Sequence, residues 1–292
     1  MSVDTPVDLH AQRTGAPVAD PSPAVAALAA LRYGANAAPA GLAATDVVAL
    51  QLAHRSVRRY LPDEVDDDAL ATIVAAAQSA ATSSNLQLWS VVAVRDDDRR
   101  AALSALAGDQ AHITQAPLLL VWLVDLARAH AIAARHDAPT AGAGYLETAV
   151  VGFVDAALAA QNAVLAAESL GLGTVYIGAL RNRPEDVAAL LGLPRHVFAA
   201  FGLVVGHPDP AEGARVKPRL PQSAVLHHET YDDDAHHAAV DGYERTIGDF
   251  YADEGLAHSW VERVLARLSG PRALNGRDRL RDALEAQGFE LR

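Results

Sequence analysis

The sequence predicts a globular protein in which helices cover both faces of a sheet. Three observations carry this. Hydrophobic residues make up 51% of the 292 positions, enough to bury a large core. The run from Pro117 to Val124 is continuously apolar, the mark of a strand covered on both faces and central in its sheet. The segment from Tyr145 to Leu170 is helical in length and places Val150, Phe153, Val154, Leu158, Val164 and Leu165 on more than one side. Such a helix either fills the middle of a large domain or packs on a partner subunit.

Taken in order, residues 1–44 are rich in Ala, Pro, Gly and Asp and read as a flexible N-terminal tail, with one helical turn around Ala24 to Leu31. The start, MSVDTPVDLHAQRTG, lacks the charged beginning and apolar run of a signal peptide, so a cytoplasmic protein is expected. Thr45 and Asp46 cap a helix reaching Ala53. From Asp66, aspartates stand at the positive end of a helix dipole, and that helix is expected to run to Ala81.

A polar loop, Thr82 to Gln87, feeds the strand Leu88 to Val94, and the charged run Arg95 to Arg100 reads as a solvated helix start. Gly108 to His112 is a polar turn before the central strand. The helix to Leu170 stops at Gly171. It carries Glu147, Asp155, Gln161, Asn162 and Glu168, which favours a buried helix over a membrane span. Thr174 to Gly178 follows as a strand, Asn182, Pro184 and Glu185 open a helix, and Ala199 to Val205 is a strand closed by Gly206. Beyond Tyr231 the segments Asp232–Tyr251, Ser259–Leu268 and Arg277–Gln287 all have helical patterns.

The chemistry concentrates in two places. His54 to Tyr60, HRSVRRY, supplies three guanidiniums, an imidazole and a hydroxyl in a chain of net charge −12. Guanidiniums offer paired donors suited to phosphate, and Ser56 adds a hydroxyl; a solvated Arg-rich turn is the plainer reading. Far along the chain, Lys217 and Arg219 flank Pro218, which stiffens their loop. Two rigid basic islands in an acidic chain point to one shared phosphate on a small ligand. A broad basic face for nucleic acid is missing.

Other chemistries are excluded or weak. With no cysteine, disulfides, thiol nucleophiles and cysteine-ligated metals are ruled out. The pairs Gly142/Gly144 and Gly171/Gly173 lack the third glycine of a dinucleotide fingerprint, and neither a nucleophile elbow nor a phosphate loop ending in Gly-Lys-Ser/Thr is present. His227/His228 and His236/His237, with Asp232 to Asp234 between, are adjacent pairs whose members point apart, so no metal site is expected.

Six segments, HRSVRRY, ATSSNLQLW, GDQAHITQAP, AAQNAVLAAESLGLGTVYIGALRN, LPRHVFAAFGLVVGHP and VKPRLP, stand in an order and spacing that resembles the FMN-dependent nitroreductase superfamily. Within it, the chain is most similar to flavin reductases and oxygen-insensitive nitroreductases that carry a C-terminal helical excursion. The likeness is close over Ala53 to Tyr231 and looser beyond. It implies an α+β fold, a mostly antiparallel sheet wrapped by helices, in an intertwined homodimer with one FMN at each interface. On this likeness residues 45–230 form the FMN-binding core and 231–292 a helical extension of the same domain.

By the same resemblance, His54, Arg55, Ser56, Lys217 and Arg219 bind the phosphate and ribityl chain, and Arg58 stands near the pyrimidine end of the ring as an electrostatic stabiliser. Thr82, Ser83 and Ser84 come from the partner subunit. Gln110 and His112 lie near the ring, and Tyr176, Ile177, Gly178 and Ala179 run along it, Ala179 replacing a common family glycine. The implied activity is a ping-pong NAD(P)H oxidoreductase acting on flavins, quinones or nitroaromatic compounds, with a flavin-binding protein for storage or sensing as the alternative. Asp253 and Glu254 stand where relatives place arginines for the NADPH 2′-phosphate; a weak NADPH preference or a tilt toward NADH is expected, unless Arg263, Arg267 or Arg277 folds back.

Overall fold

The computed structural model describes residues 23–292, so the expected tail before Pro23 lies outside the described residues. In chain order come α1 (Pro23–Tyr33), α2 (Asp46–Ala53), α3 (Asp67–Gln78), β1 (Trp89–Val94), α4 (Asp97–Leu106) and a short α5 (Ala111–Gln115). Then follow β2 (Leu118–Asp125), α6 (Ala127–Arg135), α7 (Leu146–Ser169), β3 (Gly173–Ile177), α8 (Pro184–Leu191) and β4 (Val197–Gly206). The chain ends with α9 (Ala235–Ala252), α10 (Trp260–Leu268) and α11 (Leu280–Ala286).

The described chain forms two compact units: residues 23–53 with Val216–Ser259, and His54–Arg215 with Trp260–Arg292. These divisions differ from those expected at 44 and 231, because the C-terminal helices are shared out, α9 to the first unit and α10 and α11 to the second.

The second unit holds the sheet, ordered β1-β2-β4-β3 with every neighbouring pair antiparallel. All four expected strands are present, and β2 is central and buried along nearly its whole length, as its unbroken apolar run requires. Because side chains alternate along a strand, Leu119, Val121 and Leu123 enter one core while Leu118, Leu120 and Trp122 enter another. The second of these cores is roofed by α3 and by the alanines of α7, Ala156, Ala159, Ala160, Ala163 and Ala167. Their small side chains bring the helix close to the sheet. This helix is the one described helix long and apolar enough to cross a membrane, but that alanine face is spent on the sheet.

Three local expectations need correction. α3 ends at Gln78, not Ala81, where the Ser79 hydroxyl donates to the Ala76 carbonyl (2.7 Å). The run Arg95 to Arg100 is not solvated throughout: Arg100 is 6% exposed, and its guanidinium donates to the carbonyls of Thr114 and Ala116 and pairs with Asp97. The third expected C-terminal helix starts as a 3-10 turn, Arg277–Arg279, before α11.

In the first unit, the stretch expected to be flexible contains α1, whose Val25 and Ala29 are buried. α9 buries Ala239, Tyr243, Ile247 and Phe250, one stripe at helical spacing.

Candidate functional site

HRSVRRY is an extended segment laid along the edge of the sheet. Ser56 bridges Thr174 of β3 in parallel and Tyr60 bridges Pro208 in antiparallel fashion; the N–H groups of Val57 and Leu61 donate to the carbonyls of Thr174 and His207 (both 2.9 Å). Val57 and Tyr60 turn inward and are buried, while Arg55, Arg58 and Arg59 stay exposed. Two glycines make the seat. Gly173 and Gly206 face each other across β3 and β4; a Cβ on Gly173 would meet Val57 at 2.8 Å, and one on Gly206 would meet Tyr60 at 2.9 Å.

Two carboxylates that the sequence reading had not singled out as site residues set the segment's ends. Glu168, near the end of α7, accepts from His54 Nδ1 (2.6 Å) and from the Thr174 hydroxyl (3.1 Å); since a carboxylate only accepts, the imidazole donates there. Glu212 accepts the backbone N–H groups of Arg58 (2.9 and 3.0 Å) and Arg59 (3.1 Å). Their signal in sequence is nil, because each lies more than a hundred positions from its partner.

His112, at the start of α5, joins this group electrostatically. Burial lowers its pKa from the ordinary 6.5, the Arg58 guanidinium lowers it further and Glu212 opposes. The ring is therefore neutral at pH 7, and its Nε2 is buried with no hydrogen-bond partner in the protein. The Gln110 amide nitrogen donates to the Ala107 carbonyl (2.8 Å).

Along β3, Val175 and Ile177 point into the core, so Tyr176 faces the other way. It is 41% exposed and stands edge-on to Phe201 at 5.5 Å between centroids. Beyond it, Gly178 opens a 3-10 turn that includes Ala179. A Cβ on Gly178 would lie 3.3 Å from Arg181 Nη2 and 3.8 Å from Arg277 Nη1. Burial lowers the pKa of both guanidiniums, and Arg267 lowers each of them too, so three arginines from separate segments of this unit share one neighbourhood. Arg181 and Arg277 are tethered by carbonyls, of Ala200 and Leu274 respectively, and Arg267 by that of Ala273. Arg267 and Arg277, two of the three arginines considered for a fold-back, thus stand close to Arg181.

The loop Thr82 to Ser84 is organised from α7. Asp155, fully buried, accepts the N–H groups of Ser83 and Leu88 (both 3.1 Å). Between these two points Ser84, Asn85 and Gln87 all have positive φ (48°, 55° and 54°), a conformation that non-glycine residues adopt only when their surroundings hold them there. Asp155 was legible only as a charge that argues against a membrane helix.

In the first unit, Lys217 donates to the Tyr251 hydroxyl (2.8 Å) and lies 5.1 Å from that ring's centroid. Arg219 Nη1 reaches back to the carbonyls of Lys217 (3.2 Å) and Pro218 (3.1 Å).

Comparison with known proteins follows these segments. The family model described as "Nitroreductase family" matches residues 52–207, and "Nitroreductase family, C-terminal domain" matches 217–292. An FMN reductase [NAD(P)H] of Bacillus subtilis is 39% identical over 246 residues, which is 82% of this chain and 95% of that protein. An NADPH-flavin oxidoreductase of Vibrio harveyi is 38% identical over 75% of this chain and 89% of its own length. Among solved structures, NfrA2 of B. megaterium superposes with a TM-score of 0.81 at 39% identity, covering 85% of this chain and 99% of that one. The NADPH:FMN oxidoreductase of Vibrio harveyi complexed with NAD+ gives 0.76 at 35% identity, covering 85% and 100%.

Proposed function

This chain belongs to the nitroreductase family, and on that premise we propose that it is an FMN-dependent NAD(P)H oxidoreductase of the flavin reductase type, reducing flavins, quinones or nitroaromatic compounds in the cytoplasm. FMN, when bound, would supply the redox chemistry, a ping-pong two-electron transfer from NAD(P)H to an acceptor. The observation that carries the reading is the anchored HRSVRRY segment, with its arginines turned outward and the unpartnered Nε2 of His112 nearby.

The residues present fit such a group. Arg55 and Ser56 offer donors for the phosphate and ribityl chain, His54 is assigned to that chain beside them, and Lys217 and Arg219 are read as phosphate-binding residues. Arg58 supplies fixed positive charge toward the pyrimidine edge, where negative charge accumulates on reduction. His112, being neutral, adds a polar ring atom without adding a second cation. Tyr176, Gly178, Ala179 and the backbone of Ile177 provide the surface along the ring, and Thr82, Ser83 and Ser84 the contacts from a second subunit. Arg181 and Arg277 at Gly178, with Arg267 near both, are suited to the extra 2′-phosphate of NADPH, which weighs against the tilt toward NADH that Asp253 and Glu254 suggested.

A homodimer belongs to the same reading. Leu146, Val150, Val154 and Leu158 recur every four residues on α7 and are 44–51% exposed, an apolar stripe on the side of the helix away from the sheet.

The test is the visible spectrum of the purified protein. Flavin absorbance is expected, bleached by NAD(P)H and restored by a quinone; a flavin that stays oxidised under NAD(P)H would support storage or sensing instead. Replacing Lys217 and Arg219 together by Ala removes charge-assisted bonds worth about 1.5–3 kcal/mol each and should release the flavin.

A further inference from the structure

The helix α1 stands outside both family matches, which begin at residue 52 and end at 207, then resume at 217. Its last turn nevertheless holds the Lys217–Arg219 loop. Arg32 is 5% exposed; its Nη1 donates to the Lys217 carbonyl (2.7 Å) and its Nη2 to the carbonyl of Leu52 in the last turn of α2 (2.7 Å). In return the Arg219 N–H donates to the Arg32 carbonyl (2.7 Å), one of the acceptors that a helix C-terminus leaves open. The Tyr243 hydroxyl of α9 donates to the carbonyl of Pro218 between them (3.3 Å).

We infer that α1, through Arg32, is a positioning element for the Lys217–Arg219 loop and thereby for the cofactor's phosphate. The inference rests on the reading of that loop as a phosphate-binding segment. The physical case is one of freedom removed. Pro218 stiffens the loop but leaves its carbonyls to be satisfied. Lys217 offers its carbonyl to both Arg32 and Arg219, so both of its lone pairs are engaged and the peptide plane is set. A guanidinium can serve two carbonyls at once with its rigid fork, whereas an ammonium is a point donor. Burying that guanidinium is costly unless it is fully bonded, and both of its terminal nitrogens are. A loop so held presents Lys217 and Arg219 already ordered, which strengthens anion binding by lowering the ordering cost on association.

The experiment uses full-length Arg32→Ala and Arg32→Lys, the apoprotein of each, and two ligands that differ only by the phosphate: FMN and riboflavin. Dissociation constants are read from flavin fluorescence, and exchange of the Arg219 amide from hydrogen–deuterium exchange. FMN affinity is expected to fall about tenfold in both variants, riboflavin affinity to stay at the wild-type value, and the Arg219 amide to exchange faster. Equal loss for FMN and riboflavin, or no loss for FMN, overturns the inference. If Arg32→Ala does not fold, Arg32→Lys decides alone, since it keeps the charge and loses the fork. Retention of FMN by the Lys217→Ala/Arg219→Ala protein would instead overturn the phosphate reading, and an accelerated Arg219 amide in the Arg32 variants would then show that the clamp exists without that purpose.

Discussion

At the scale of single residues, buried polar groups determine how the site is held. Asp155 accepts two backbone N–H groups at the two ends of a loop whose interior is conformationally unfavourable. Asp155→Ala leaves both donors without a partner, and a loss of about 2–4 kcal/mol is expected from denaturant midpoints. His112 contributes a pH dependence of known sign. Its folded pKa lies below 6.5 because burial, then Arg58, disfavour the imidazolium. The unfolded chain thus takes up the proton first. Its contribution to stability is complete above pH 6.5 and is lost as pH falls from there through the lowered folded value. His112→Gln should therefore flatten the fall in melting temperature between about pH 7 and 5; an unchanged slope in thermal melts would count against a buried neutral ring.

At the scale of elements, α7 carries three different duties on one cylinder. Its alanines face the sheet, Asp155 and Glu168 reach the loop and the basic segment, and the stripe Leu146, Val150, Val154, Leu158 is left to solvent in the single chain. Charging the stripe is the direct test of the proposed homodimer. Val150→Glu with Val154→Glu should give a monomer in sedimentation and abolish turnover, whereas the unaltered protein should sediment as a dimer with an interface of roughly 2,000–5,000 Å². An altered protein that remains dimeric and active would show that another surface pairs the subunits.

At the scale of the whole molecule, the proposed donor site draws on remote segments. Arg181 follows β3, Arg267 ends α10 and Arg277 lies between α10 and α11; within one compact unit Arg181 and Arg277 stand at Gly178, and Arg267 lowers the pKa of both. With Arg277 supplying charge to a phosphorylated donor, Arg277→Ala should lower the ratio of kcat/KM for NADPH over NADH by about tenfold, measured by steady-state kinetics with both donors. An unchanged ratio would return the donor preference to the acidic Asp253–Glu254 region.

By itself the sequence determined the strands, the central place of Leu118–Asp125 and the length of α7, because hydrophobic periodicity is local and needs no knowledge of neighbours. The six spaced motifs determined the family. Only the tertiary structure decided that Glu168 and Glu212 hold the ends of HRSVRRY, that Arg100 is buried, that α1 clamps the Lys217–Arg219 loop, and that the C-terminal helices divide between two units. The first three depend on a carbonyl or carboxylate brought from elsewhere in the chain. Such an acceptor leaves no periodicity in the sequence, and a charged residue beside it reads as solvated until the fold supplies its partner.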